Sequence, residues 1–327
     1  MWEHLRIPRA WRPALEILDA VVAPSAFVHA AMESSLDGVV TLSAPHPIAL
    51  PADVCSRRER FRLPPGAVLF ATSFELYSPE RKNAEAALRA FRQAFAGGET
   101  VGLVIRINNA ARHPGAAAAV RRLTDGDPRI HVVDEPLSYS GVLSLYASCD
   151  VFVSLHRSEG LGLALMESML LGKPVVATAW SGNMSYMDTA NACLVGYRLV
   201  PVVASNREYR RALLGRAAVW AEPSVDDAAA WMVKLLREPA LRADIGRRAR
   251  EAMCHHQVVA GQAHFLDQLE AMWRNHLDLP ALQRKRTPEF RDRWLSACAQ
   301  AFGSSRVREL LERHVLWRLP RRQRVAS

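Results

Sequence analysis

Residues 154–183 read SLHRSEGLGLALMESMLLGKPVVATAWSGN. An apolar run, Val151 to Leu155, leads into a polar turn that ends at Glu159 and continues through Gly160 and Gly162. An apolar-faced helix carrying Glu167 follows, and then a second apolar run, Pro174 to Thr178, which opens into Ser181-Gly182-Asn183. The pattern is strand, loop, helix, strand, loop. Open α/β sheets bind ligands beyond the carboxyl ends of their parallel strands, so both glycine-containing loops lie on the ligand side. Leu163, Met166 and Leu170 fall on one stripe at helical spacing, and Glu167 lies on it as well. A carboxylate at that position is expected to be partly buried, the alternative being a helix-surface Glu at the edge of the stripe. It needs a partner, such as a pair of ligand hydroxyls or a cation.

The same alternation extends in both directions. Upstream lie strands at Val68 to Thr72, Val101 to Arg106 and Ile130 to Val133, interleaved with helices at Ala84 to Ala96, Ala116 to Leu123 and Tyr139 to Ala147. Downstream come strands at Cys193 to Val195 and Leu199 to Val203, and helices at Val225 to Leu236, Pro239 to Met253 and Val258 to Asn275. Short apolar strands separated by helices of about three turns predict a parallel, doubly wound sheet.

The spacing Glu159-x7-Glu167 within SEGLGLALMESMLLGKPVVAT resembles the EGxG…E motif of GT-B-fold glycosyltransferases, in the large retaining family often called group 1 or family 4. Four other segments share the resemblance: Glu80-Arg81-Lys82-Asn83, Ser148-Cys149-Asp150-Val151, Ser181-Gly182-Asn183 and Trp220-Ala221-Glu222-Pro223. Together they cover roughly residues 60 to 240. The fold implied is a Rossmann-like doubly wound parallel sheet, the C-terminal domain of a GT-B enzyme, over residues 61–276. Residues 1–60 are then the remnant of a second Rossmann-like domain with the hinge, and residues 277–327 a basic helical tail. Most strands of the acceptor domain have no counterpart, so the expectation is a fragment or a chain completed by another polypeptide. Leu15, Leu18, Val21 and Val39 of the remnant are then expected to be exposed or paired with another chain.

The resemblance also implies the site. The backbone amides of Gly160, Leu161 and Gly162, at the positive end of the motif helix, face the phosphate or the donor sugar. Lys82 matches the family's phosphate-binding lysine. The arginine that usually accompanies it has no clear match, and Arg81 or Arg106 are the candidates to replace it. Glu159 is the residue near the reacting centre, hence the catalytic assignment, and Glu167 takes the two ribose hydroxyls. Asn183 is expected to donate to the sugar or the base, with Trp180 beside it to stack; an Asn that ties its own turn is the structural alternative. His156 and Arg157 also lie on the ligand side, and Glu222 is read as a structural cap. The two carboxylates could in principle serve a hydrolase instead, but the phosphate-type loops would then have no use.

No cofactor and no metal are expected, since nothing near the site resembles a DxD motif. The substrate implied is a nucleotide-diphosphate sugar such as GDP- or UDP-hexose, with a glycan or lipid-linked acceptor. The reaction implied is hexose transfer to a hydroxyl with retention, in polysaccharide or glycoconjugate synthesis. The alternative is a truncated, non-catalytic nucleotide-sugar-binding or scaffold chain. A Rossmann dehydrogenase is less suited, because no GxGxxG follows a first strand.

Composition agrees with an α/β enzyme. Half of the 327 residues are hydrophobic, enough for a proper core, and no uncharged apolar run approaches a membrane span. The five cysteines are scattered and odd in number, which argues against a disulfide framework or a zinc site and for a cytoplasmic protein. The net charge of +9 is concentrated at the end: residues 284–327 hold twelve Lys and Arg against four acids, or +8. Two short amphipathic helices are expected there. A solvated basic face or contact with the inner face of an anionic membrane follows from that charge, and no motif supports nucleic-acid binding. A homodimer or a partner chain is expected to cover the remnant.

Overall fold

The computed structural model describes residues 4–261, except 9–10, 16–17, 19, 37–38, 77, 125 and 204–217, together with 267 and 270–271. The helices expected in the tail, on residues 284–327, lie outside the described residues. So does most of the helix expected beyond Gly261. Two compact units are distinguished. One comprises Met1–Leu5, Pro24–Val28 and Ser43–Gln262, and the other Arg6–Ala23, His29–Leu42 and Ala263–Ser327.

The described part of the second unit holds α1 (Arg12–Leu15), a two-stranded sheet of β1 (Ala20–Ala23) and β2 (Val40–Ser43), and most of α2 (Ala26–Glu33). Val21, Leu36 and Val39 are buried in one small cluster, with Leu15 and Met32 packed against it. This corrects the expectation of exposed faces. Met32 and Leu36 supply the cover that a strand-helix-strand count overlooks, and of the four named residues only Leu18 is exposed.

The first unit is built on a six-stranded sheet of β3 (Val68–Glu75), β4 (Val101–Asn108), β5 (Ile130–Val133), β6 (Val151–Ser154), β7 (Val175–Thr178) and β8 (Cys193–Val195). Every neighbouring pair is parallel, in the order β5-β4-β3-β6-β7-β8. The chain winds outward from β3 to β5, then returns to place β6 on the other side of β3. The order therefore reverses between β3 and β6, and the crevice at that switch point is where such sheets bind ligands.

Between the strands lie α3 (Pro79–Lys82), α4 (Ala84–Ala94), α5 (Pro114–Thr124), α6 (Tyr139–Ala147) and α7 (Leu163–Leu170). Then come the antiparallel pair β9 (Tyr197–Pro201) and β10 (Val219–Pro223), followed by α8 (Val225–Arg237) and α9 (Pro239–Gly261). Alternate strand residues feed two cores. Phe152 joins Leu145, Met166, Met169 and Met253 on one face, while Phe70, Val151 and Val153 join Phe91, Met232 and Leu235 on the other. Beneath the switch point, the Arg58 guanidinium donates to Asp150 Oδ2 at 2.8 Å and to the Ser148 carbonyl at 2.9 Å, fixing the segment that precedes β3.

Two helical readings change. α9 runs unbroken through residues 254–257, where the sequence offers no Gly or Pro to stop it. His256 Nε2 donates to the His46 carbonyl at 3.0 Å and Gln257 Nε2 to the Ile48 carbonyl at 2.8 Å, so tertiary contacts also hold this turn. Leu163 is exposed, whereas Met166, Glu167 and Leu170 are buried. Being the first residue after Gly162, Leu163 projects from the start of the helix instead of continuing the buried stripe.

Candidate active site

The carboxyl end of β3 leads into the one-turn helix α3, which contributes Arg81 and Lys82. Asn83, in the left-handed region at φ 53°, ends α3 and starts α4. Asn tolerates that conformation better than most residues, so the change of direction is written in its side chain. From β6, on the other side of the switch point, comes the loop with His156, Arg157, Ser158 and Glu159. The two loops meet through charge: Lys82 Nζ is ion-paired with Glu159 Oε1, and Arg81 Nη1 lies 3.3 Å from Glu159 Oε2. Arg81 also donates to the Ser158 carbonyl at 2.8 Å.

Arg81 and Glu159 are both buried. Burial alone works to raise the Glu159 carboxyl, but the charges of Lys82 and then Arg81 outweigh it and bring its pKa down to about 2. His4, buried near Arg81, is kept neutral. Burial first and the Arg81 charge second lower its pKa to about 4. The cluster of two cations and one anion thus carries a net positive charge at the crevice, suited to a phosphate group.

Glu167 sits on α7 and is buried. Its partner is Tyr139, the first residue of α6, whose hydroxyl donates to Glu167 Oε1 at 3.0 Å while its ring stays 52% exposed. Burial raises the Glu167 carboxyl above its ordinary value, and the Tyr139 bond opposes that rise. Sequence reading missed Tyr139. The only signal was its position just beyond the carboxyl end of a strand.

The glycine turn between them is tightly packed. Gly162 is the N-cap of α7 with φ 87°, in the left-handed region that favours glycine. The hydroxyl of Tyr186 donates to the Leu161 carbonyl at 2.7 Å, with that of Gly162 at 3.0 Å. Ser25 Oγ donates to the Gly160 carbonyl at 2.6 Å. A Cβ on Gly182 would stand 2.1 Å from the same carbonyl oxygen, so only glycine lets the loop after β7 close on the loop after β6. Ser181 adopts φ 80°, unusual for a residue with a side chain, and its Oγ accepts the Glu159 amide at 2.8 Å.

Asn183 is fully buried, and its side chain is engaged: Nδ2 donates to the Thr178 carbonyl at 3.0 Å and Oδ1 lies 3.1 Å from His156 Nε2. His156 is likewise fully buried, with Nδ1 3.0 Å from Ser154 Oγ and Nε2 3.2 Å from the Trp180 carbonyl. Both groups facing Nε2 are acceptors, so Nε2 carries the proton and Nδ1 accepts from Ser154. Burial lowers the His156 pKa and keeps the ring neutral. The geometry favours the alternative in which Asn183 ties its own turn. Trp180 packs edge-on against Phe27 at 5.9 Å between ring centres and in a tilted arrangement against Tyr197 at 5.2 Å.

Two sequence-stretch readings are corrected. Arg106 does not join the cation cluster; it is buried on β4, and its Nη1 donates to the carbonyls of Val133 at 3.1 Å and Glu135 at 2.7 Å. Glu222 is not a cap: Ser224 caps α8 by accepting from the Asp227 amide, and Glu222 Oε2 instead accepts from Arg157 Nε at 2.5 Å.

With that geometry in hand, residues 66–199 match the model of the family described as Glycosyl transferases group 1. Over that stretch the chain is similar to this family. The fold is the GT-B Rossmann-like one. The sucrose-phosphate synthase of Thermosynechococcus elongatus is 19% identical, with a TM-score of 0.58 over 80% of this chain and 59% of that one. A glycosyltransferase from Rickettsia africae is 16% identical, with a TM-score of 0.59 over 83% of this chain and 68% of that one. Anabaena HepE, whose structure holds UDP and glucose, is 16% identical, with a TM-score of 0.56 over 77% of this chain and 63% of that one. The chain thus spans about three fifths to two thirds of the length of these proteins. No curated protein sequence matches it significantly. Within the matched stretch, Lys82, Arg81, Glu159, the 160–162 turn and Glu167 all lie around the carboxyl ends of the strands.

Proposed function

We propose that the chain binds the donor of a glycosyltransferase reaction, in which a hexose moves from a nucleotide diphosphate to an acceptor hydroxyl with retention of configuration. The observation that carries this is the Lys82–Glu159–Arg81 cluster at the β3/β6 switch point, with Glu159 and Arg81 buried, beside a helix start at Gly162 that no side chain caps. A diphosphate takes its place against the two cations and the amides at the head of α7. Glu167 accepts the two ribose hydroxyls. The growing charge on the leaving phosphate is stabilised where the cations already stand, so the protein contributes orientation and charge more than proton transfer.

Glu159 fits that role better than a hydrolytic one. Its carboxylate faces a cation through each oxygen and stays ionised at every working pH, which makes it a poor acid and a weak nucleophile. The leaving phosphate is the base that takes the acceptor proton.

The acceptor we propose is a glycan or a lipid-linked sugar, in polysaccharide or glycoconjugate synthesis. The proposed setting is the cytoplasm, with the basic stretch 284–327 as a contact to an anionic membrane face. Among the described residues no helix is long and apolar enough to cross a membrane. Incubation with GDP- or UDP-hexoses and a hydroxyl acceptor, followed by NMR of the product, tests the reaction. The expected product keeps the donor's anomeric configuration. An inverted product, or sugar release by a chain that binds no nucleotide, would overturn it.

A further inference from the structure

We propose that Arg157, held by Glu222, is a positioning residue that sets the Arg81–Lys82 turn for the donor diphosphate; this rests on reading the site as a nucleotide-sugar site. α3 is a single turn of four residues that ends in a left-handed Asn. One turn cannot hold itself by its own hydrogen bonds, so its place must be set from outside. Arg157 does this through the backbone. Its amide donates to the Arg81 carbonyl at 2.8 Å, and its Nη1 donates to the Glu80 carbonyl at 2.6 Å.

The arginine is itself fixed from β10. Nε donates to Glu222 Oε2 at 2.5 Å, the guanidinium lies 5.3 Å over the Trp220 ring, and the Arg157 carbonyl accepts the Ala221 amide at 2.9 Å. Three segments far apart in sequence, the turn after β3, the loop after β6 and strand β10, therefore meet at one side chain.

The cation turn has two grips, and they respond differently to a donor. Glu159 holds Arg81 and Lys82 by their charged ends, and an arriving diphosphate competes for those ends. Arg157 holds the carbonyls of Glu80 and Arg81 by its amide and by a guanidinium already paired with Glu222, so a diphosphate at Arg81 and Lys82 leaves this grip in place. As the first grip is shared with the donor, the second keeps the turn in register. Because Glu222 neutralises Arg157, the guanidinium adds no charge of its own to the phosphate site. Its effect on the donor runs through Arg81 and Lys82.

The test uses the full chain with Arg157→Lys and Glu222→Gln. Affinities for UDP, UMP, GDP and GMP are measured by calorimetry, and folding by thermal melting. The gap between diphosphate and monophosphate affinity reads what the second phosphate gains from the cation turn. In both variants the diphosphate weakens roughly tenfold while the monophosphate changes less than about threefold, so the gap narrows.

If Arg157 contacted phosphate directly, Glu222→Gln would free it and strengthen diphosphate binding; that result overturns the proposal. Equal losses for mono- and diphosphate, or a lower melting temperature with unchanged affinities, mark a purely structural pair and overturn it as well. A native chain that binds neither UDP nor GDP removes the nucleotide-sugar reading and this proposal together. Native binding with an unchanged gap in the variants removes the proposal alone.

Discussion

Lys82 and Glu159, 77 residues apart in sequence, form an ion pair across the switch point between β3 and β6. The protein supplies an anion of its own to the cation turn. The carboxylate is buried, and Arg81 lies against its other oxygen. On the proposed reading, a bound diphosphate shifts the charge balance that holds this site together.

Replacing that internal anion should expose the balance. Glu159→Gln leaves two cations without their carboxylate, and the loss of stability is about 3 kcal/mol, the lower end for breaking a buried pair because Lys82 is partly solvated. Inorganic phosphate then raises the melting temperature of the variant more than that of the native chain. The pH dependence has a definite sign. The folded pKa of Glu159, about 2, lies below its ordinary 4.5, so its stabilisation is present above the ordinary value and is lost as pH falls through about 2. The native-minus-variant difference is flat at neutral pH and shrinks in acid. An equal response of both proteins to phosphate would contradict the counter-ion role.

Tyr139 should tune Glu167. The carboxylate must be ionised to accept two ribose hydroxyls, burial raises its pKa, and the Tyr139 hydroxyl opposes the rise. The phenols of Tyr146 and Tyr186 also feel Glu167, and burial keeps both protonated. Removing one hydroxyl in Tyr139→Phe therefore moves the Glu167 pKa higher still. Nucleotide affinity then begins to fall at a higher pH in the variant as the solution is acidified, while the two proteins agree within about threefold at pH 8. Calorimetric titrations from pH 5 to 8 check this, and superimposable profiles would rule it out.

The contact between the two glycine loops is backbone on backbone. Gly182→Ala places a methyl 2.1 Å from the Gly160 oxygen and 2.8 Å from the Leu161 nitrogen, atoms that cannot swing aside. The loops must separate, which costs about 2–3 kcal/mol and moves the amides of 160–162 out of line. Thermal melting and nucleotide affinity should both drop. A variant with native melting temperature and affinity would show that the close approach is not needed.

Much of the fold, and the residues gathered at the crevice, is legible in the sequence alone. Glu159 and Glu167 announce themselves by their spacing on one strand-loop-helix unit, and Lys82 by its place between a strand and a helix. What local pattern could not convey was the strand order, since pairing β6 with β3 is a long-range choice among parallel strands of similar composition. That choice makes Lys82 and Glu159 partners and sends Arg106 elsewhere. Arg157 with Glu222, and Tyr139 with Glu167, are likewise tertiary pairs, 65 and 28 residues apart, with no local signature. Leu163 misled for a different reason: helical spacing cannot distinguish a first-turn residue from one in the body of the stripe.

The central claim is that the crevice holds a nucleotide whose ribose sits on Glu167. Calorimetric titration of the native chain and of Glu167→Ala with UDP and GDP tests it most directly. The native chain should bind at least one of the two, and the variant, with its fold intact, should bind it more weakly by about 1–3 kcal/mol, the cost of losing charged hydrogen bonds. Unchanged affinities for both nucleotides in a folded Glu167→Ala chain would contradict the account.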